Sequence, residues 1–258
     1  MKLSTRIVAA LCGVALPAAI AAADPRPFTF VYDTYAVGQG NFEYEQWVTY
    51  SHHTDAEPGF DRVDVRHELE YGVADNFDLS LYFADWRYED SEERTGMKYD
   101  GTAVEGILYL SNPVTDFIGS GLYAEFAIGE HELEFEQKLL LQKNVGDWVF
   151  AYNLILETEI EGVGDDEDGG ENEIEGVLGH SLGASYAVGR DWRIGAEALV
   201  ESVYEDWSDH EETSVYAGPN VFWQPTANLW VTLTPLFQLT DEEGVADYNV
   251  RLIAGYEF

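Results

Sequence analysis

The sequence predicts an all-β chain folded as one closed antiparallel transmembrane β-barrel of twelve strands. Three observations carry that expectation. Apolar and polar residues alternate with a period of two through most of the chain, the pattern of strands with one greasy side. The alternating segments run to about twelve residues, long for a sandwich and suited to a tilted crossing of a bilayer. Aromatic residues gather at the ends of the apolar faces with aliphatic residues between them, as expected where amphipathic rings settle at two membrane interfaces.

Residues 1–23 read as a secretory leader. Lys2 and Arg6 form the positive start, Ile7–Ile20 the apolar run, and Ala21-Ala22-Ala23 the small-residue cleavage region before Asp24. The single cysteine, Cys12, falls inside that leader behind Leu11, which does not suit a lipoprotein signal. The mature chain is then cysteine-free and has no disulfide, thiolate or cysteine-ligated metal chemistry. Without the leader, 11 basic residues face 49 acidic ones, a formal net charge of −38. Such a balance excludes nucleic acid as a partner, and no polybasic patch is present for docking on an anionic lipid surface. No mature segment reaches the length of a transmembrane helix, which leaves strands as the means of crossing a membrane.

Residues 24–40 carry Pro25 and Pro27 followed by the partly alternating rings Phe28, Phe30 and Tyr32. They are expected as a periplasmic or lumenal segment, because a further strand would make the count odd. The barrel proper is expected over 41–258. Its strands fall at 41–53, 60–73, 76–88, 98–110, 116–128, 131–143, 147–160, 173–187, 191–204, 212–224, 228–240 and 247–258. In the second, Val63, Val65, His67, Leu69 and Tyr71 oppose Arg62, Asp64, Arg66, Glu68 and Glu70. In the sixth, Leu133, Phe135, Leu139 and Leu141 oppose Glu132, Glu134, Glu136 and Lys138. Pro235 sits awkwardly in the eleventh, since it cannot donate to a ladder, and a bulge is expected there. Short turns at 74–76, 112–115, 144–146, 189–190 and 225–228 alternate with longer acidic loops at 54–59, 89–97, 161–172, 205–211 and 241–246, apart from a tight Gly129-Glu130 link. The run Gly162–Glu171, almost pure Asp, Glu and Gly, is expected as a solvated mobile loop. Short periplasmic turns and long outer loops are the asymmetry of outer-membrane barrels, and an even strand number returns both chain ends to the periplasm.

The last segment, Asp247–Phe258, places Tyr248, Val250, Leu252, Ala254, Tyr256 and Phe258 on one face and Asn249, Arg251, Ile253, Gly255 and Glu257 on the other. An amphipathic final strand ending on Phe258 resembles that of Gram-negative outer-membrane β-barrel proteins. The resemblance implies a place in the outer membrane among lipid and lipopolysaccharide, and delivery through the barrel insertion machinery. The segments Phe42–Thr49, Glu105–Tyr109 and Asn153–Glu157 resemble an uncharacterised bacterial family within that class, which implies no substrate. A soluble sandwich or lipocalin-like barrel shares the alternation but would enclose the apolar face.

With the apolar faces toward lipid, the interior carries Glu43, Glu45, Asp64, Glu68, Glu70, Asp78, Glu105, Glu125, Glu132, Glu134, Glu136, Glu157, Glu159, Glu173, Glu175, Glu197, Glu201 and Glu257. Against them stand Arg62, Arg66, Lys138, Arg193 and Arg251. Two outcomes follow. Arg–carboxylate networks close the lumen, or a wet wall of one sign draws small cations through it. Inward rings at Trp47, Tyr82, Tyr99, Tyr109, Tyr123 and Trp230 favour a narrow path. The expected function is therefore a narrow cation-favouring channel or a structural envelope barrel. A lipid-modifying hydrolase and a soluble binding barrel are the alternatives.

A hydrolase needs a serine within hydrogen-bond reach of a histidine. His67 and His180 face outward without a serine on the same face, since Ser181 points the other way. Ser51, His52, His53 and Asp55 form the one weak cluster, read as polar loop entry, while His131 and His210 read as loop or rim residues. Asp165, Asp166, Glu167, Asp168, Glu171 and Glu173 offer oxygen ligands without calcium-loop spacing. Gly162-Val-Gly164 and Gly176–Gly179 lack the following helix of a phosphate loop. No catalytic, cofactor-binding or metal-binding residue is assigned from the sequence.

Overall fold

The computed structural model describes residues 26–92, 94–163 and 172–258. The leader and most of the acidic run Gly162–Glu171, with Asp165, Asp166, Glu167, Asp168 and Glu171, lie outside the described residues. Twelve strands form: β1 Phe42–His52, β2 Asp61–Ala74, β3 Phe77–Asp90, β4 Thr95–Ser111, β5 Gly119–Ile128 and β6 Glu132–Val145. They continue with β7 Trp148–Glu161, β8 Glu173–Ala187, β9 Trp192–Glu205, β10 Asp209–Trp223, β11 Leu229–Gln238 and β12 Tyr248–Glu257. Each pairs antiparallel with its sequence neighbour, and β1 pairs with β12 from Glu43↔Glu257 to His52↔Tyr248, so the sheet closes as a barrel.

The alternation resolves as the charge pattern requires. Leu81, Leu122, Phe135, Leu139, Leu182 and Leu233 are exposed on the outside, while Glu45, Glu68, Glu105, Glu125 and Glu197 are buried within. Leu133 and Leu154 share the outward face, and Glu134, Glu157 and Arg66 the inward one, the reverse of a soluble barrel. Rings collect at both rims. Trp192 stacks on Trp223 at 5.6 Å and Trp148 meets Tyr186 at 5.0 Å near the short turns, and Trp86 meets Tyr99 at 5.5 Å near the long loops. A continuous apolar band with aromatic margins matches hydrocarbon flanked by two interfaces.

Three expectations are corrected. Tyr99 is 44% exposed on the lipid face, not lumenal. The reason is a parity change: the β3–β4 register shifts between Tyr82 and Trp86, and Gly101 opposite has φ +147°. Beyond that irregularity the inward set becomes Asp85, Arg87, Lys98 and Asp100, none of which strict alternation places inside. Pro235 requires no bulge. Pairing between β10 and β11 lapses between Ala217↔Phe237 and Val221↔Leu233 and resumes in the same register. The Pro235 carbonyl approaches Gly218 so closely that a Cβ there would fall 1.7 Å from its oxygen. Two outer loops are shorter than expected, because β4 begins at Thr95 and β10 at Asp209. Asp206 and Trp207, at φ 49° and 59°, make that β9–β10 turn.

The hydrophobic core lies inside the barrel, in the half nearer the short turns. Tyr32, Trp47, Ile107, Tyr123, Leu140, Phe222, Trp230 and Ile253 form its main cluster. Its centre, Tyr32, belongs to no strand. Leu139, midway along β6 on the outer face, tests the lipid contact: Leu139→Arg is expected to destabilise the barrel by about 2–4 kcal/mol when unfolding is measured in phospholipid vesicles. On a water-exposed face the same substitution falls within about 0.5 kcal/mol of wild type.

Candidate functional site: the occupied lumen

Residues 26–38 enter the barrel from the short-turn end and cross its interior. Phe28 and Val31 are fully buried, as is Thr29 almost completely. This stretch forms no strand, so its backbone polar groups need other partners. Inward side chains supply them. Glu197 on β9 accepts from the Thr29 N–H at 2.9 Å and the Phe30 N–H at 2.7 Å, and also from Thr234 Oγ1 at 2.5 Å. Asn153 on β7 accepts from the Tyr32 N–H at 2.7 Å and donates to the Tyr32 carbonyl at 2.9 Å. Gln142 on β6 accepts from the Thr34 N–H at 2.6 Å, and Asp78 on β3 from the Val37 N–H at 3.0 Å. Asn220 donates to the Pro27 carbonyl at 2.9 Å and Thr232 to that of Arg26 at 2.6 Å. The Phe28 ring sits over Gly183, where a Cβ would lie 2.7 Å away.

Side-chain contacts fix the segment as firmly. The Arg26 guanidinium pairs with Glu45 at 3.2 Å and lies over the Tyr32 ring at 3.8 Å. The Tyr32 hydroxyl donates to Glu105 at 3.2 Å, an oxygen that Tyr82 also reaches at 2.6 Å. Lys138 stands over both Tyr32 and Tyr123 at 4.2 Å. Burial pushes the Asp33 carboxyl up to about 6, against the opposing pull of the Tyr35 N–H and Arg26.

The segment divides the lumen unequally. A cavity of about 400 Å³ opens toward the long loops, with Thr29, Phe30 and Tyr32 in its lining. A pocket of about 40 Å³ lies on the opposite side, between Arg26, Asp33 and the carboxylates Glu43, Glu68 and Glu70. The larger cavity is lined by eight carboxylates and five basic side chains, which are not evenly mixed. On one side, Arg62 and Arg87 hold Asp64 at 3.0 and 2.7 Å, Arg87 also holds Asp100 at 2.9 Å, and Arg66 bridges Asp85 and Glu125 at 2.9 and 2.8 Å. These partners come from β2 to β5 and neutralise one another.

The wall built by β6 to β9 differs. Glu134 faces Glu159, which faces Glu175, which in turn faces Glu205. Glu132 faces Glu161 and Glu136 faces Glu157 in the rows beside it. The only ion pair on that wall among the described residues joins Lys138 to Glu136 at 2.7 Å. Directly opposed like charges destabilise a sheet unless water or counter-ions intervene. The β6 to β9 wall therefore concentrates negative charge along one side of the lumen.

Among the described residues, each of the sequence-derived histidines has a partner other than serine. His67 Nδ1 contacts the Tyr44 hydroxyl at 2.8 Å and His180 Nδ1 the Tyr152 hydroxyl at 2.8 Å, both outside the barrel. Ser181 turns inward and donates to Asn153 at 3.1 Å. Ser51 donates to Asn249 at 2.5 Å, whereas His52 contacts Asp61 at 2.6 Å and His53 contacts Asp247 at 2.8 Å. His131 and His210 lie at the loop rim, on Val163 O and Thr213 Oγ1. Of the residues that seat the segment, Gln142 and Asn220 drew no attention in the sequence, and Asn153 did so only as the start of the Asn153–Glu157 segment. Their signal was present as uncharged amides at inward positions near the short turns, among neighbours that are mostly charged or aromatic.

Glu197→Ala is expected to free two backbone N–H groups and leave the Thr234 hydroxyl without its acceptor. Charge-assisted hydrogen bonds contribute about 1.5–3 kcal/mol each. Amide exchange at Thr29 and Phe30, followed by mass spectrometry in micelles, should accelerate at least tenfold, while the β1 amides stay protected.

The architecture matches known outer-membrane barrels. The NanC porin superposes with a TM-score of 0.56 at 9% identity, over 83% of this chain and 98% of that one. The KdgM porin, solved with disordered oligogalacturonate, gives 0.51 at 11% identity, over 84% and 98%. The β domain of the Bordetella autotransporter BrkA gives 0.50 at 12% identity, over 85% and 100%. At such identities the likeness is one of fold. No curated protein matches the chain. Fold and likeness together make the protein an all-β closed barrel of the outer-membrane, porin-like architecture. Residues 20–253 match the model of DUF6662, a family of unknown function, and the chain belongs to that family.

Proposed function

We propose that the protein is a narrow, cation-favouring passive channel of the outer membrane, with residues 26–38 as the constriction. The observation that carries this reading is the carboxylate wall of β6 to β9, whose one ion pair among the described residues is Lys138–Glu136 and which faces an open cavity of about 400 Å³. A low-dielectric wall of one sign focuses potential on counter-ions and raises their local concentration. The likeness to the NanC and KdgM porins supports channel architecture and says nothing about which solute passes. A structural envelope barrel without permeation is the second reading. The observation favouring it is the packing of Tyr32 against Trp47 and Tyr123, at ring distances of 6.4 and 4.9 Å, across the middle of the lumen.

Single-channel recording in planar bilayers tests the proposal. The intact protein should give small openings whose reversal potential in a salt gradient has the cation-selective sign. Replacing residues 26–37 with an equal length of Gly and Ser should raise conductance several-fold while keeping that sign. Silence of both proteins over the accessible voltages, or anion selectivity, rejects the channel.

A further inference from the structure

The outer rim brings together three side chains that no sequence motif connects. His53 and Asp55 belong to the loop between β1 and β2, and Asp247 to the loop between β11 and β12. One ligand atom from each falls within 4.8 Å of the other two. The backbones that present them are tied: the Asp247 N–H donates to the His53 carbonyl at 2.7 Å, and the Ala56 N–H to the Glu243 carbonyl at 3.0 Å. Asp55 is held in a tight turn by the Glu57 N–H, which donates to Thr54 Oγ1 at 2.8 Å. The frame is therefore set by hydrogen bonds that do not use the three side chains.

The decisive detail is the His53 imidazole. Its Nδ1 is shielded from solvent and stands 2.8 Å from Asp247 Oδ2, yet it makes no hydrogen bond. A short contact without donor alignment leaves a ring nitrogen unsatisfied next to a carboxylate. Two neighbouring ligands of one metal ion have this relation. With metal–ligand bonds of about 2.1 Å, neighbouring ligand atoms lie about 3 Å apart at a right angle and about 3.4 Å apart in the tetrahedral geometry of zinc sites. We propose that His53, Asp55 and Asp247 bind a divalent first-row transition ion of the Zn²⁺ type, with water completing its coordination. One imidazole and two carboxylates form the borderline donor set that such ions take, whereas Ca²⁺ and Mg²⁺ favour oxygen alone. The ion bridges two loops, pinning the one before β12 onto the barrel mouth. Beneath them lies a cavity of about 230 Å³ lined by Thr54, Phe60, Tyr216, Val245 and Ala246.

The test uses the full barrel in detergent micelles, without a histidine tag, titrated with Co²⁺ and followed by visible absorption, with Zn²⁺ as competitor. Wild type should bind one equivalent of Co²⁺, displaced by Zn²⁺ and removed by chelator. His53→Ala and Asp247→Asn should each weaken binding at least tenfold, since even groups that only support a ligand change metal affinity 10–100-fold. His210→Ala, at the separate β9–β10 turn, should bind as wild type does. Folding of each variant is checked by the mobility difference between heated and unheated barrel in gels. Asp55→Asn leaves the His53–Asp247 contact in place, so it decides the matter if the other variants fail to fold. Absence of Co²⁺ binding in wild type, or binding unchanged in Asp55→Asn, overturns the site.

Discussion

Closure of β1 on β12 is the constraint from which the remaining structure follows. In hydrocarbon, an unpaired edge strand would expose a row of N–H and C=O groups at several kcal/mol apiece, so a sheet must close on itself. Ten consecutive residue pairs, Glu43↔Glu257 to His52↔Tyr248, complete the ring. Once it is closed, each strand has only two environments, acyl chains and lumen. The period-two pattern then sends most Leu, Val and Phe outward and most of the strands' acidic residues inward.

The acidic interior poses its own difficulty, which the two halves of the lumen meet differently. Near the short turns, aromatic rings and the 26–38 segment fill the space, and buried carboxylates such as Glu45 and Glu197 are tied by Arg26 or by several donors at once. Toward the long loops the space stays open, and the carboxylates of β6 to β9 face one another across strands with room for water. Packing thus handles charge where the lumen is narrow, and solvent handles it where the lumen widens. The boundary between the two regimes is the ring of Tyr32, with Arg26 at 3.8 Å and Lys138 at 4.2 Å from its centre.

Strand number, strand order and the sense of the faces were legible in the sequence because each depends on alternation and turn residues alone. Tyr99 was not. A one-residue irregularity opposite Gly101 reverses parity for the outer third of β3 and β4, and nothing in the local sequence marks it. The ladder beside Pro235 lapses and resumes in register, which single-strand reasoning cannot distinguish from a bulge. Charge composition indicated a lumen rich in carboxylates, but their segregation could not be read, because it depends on which strands lie side by side and in what register. The rim cluster illustrates the same limit: Asp55 and Asp247 meet only because the first and last strands are neighbours.

The pairing of inward side chains with the 26–38 backbone also constrains the order of assembly. Thr29 depends on Glu197, 168 residues further along the chain, and Arg26 on Thr232, 206 residues away. Contacts of such long sequence separation are reached slowly, because loop-closure entropy is lost before they form. The earliest part of the described chain must therefore wait for the late strands before it can settle.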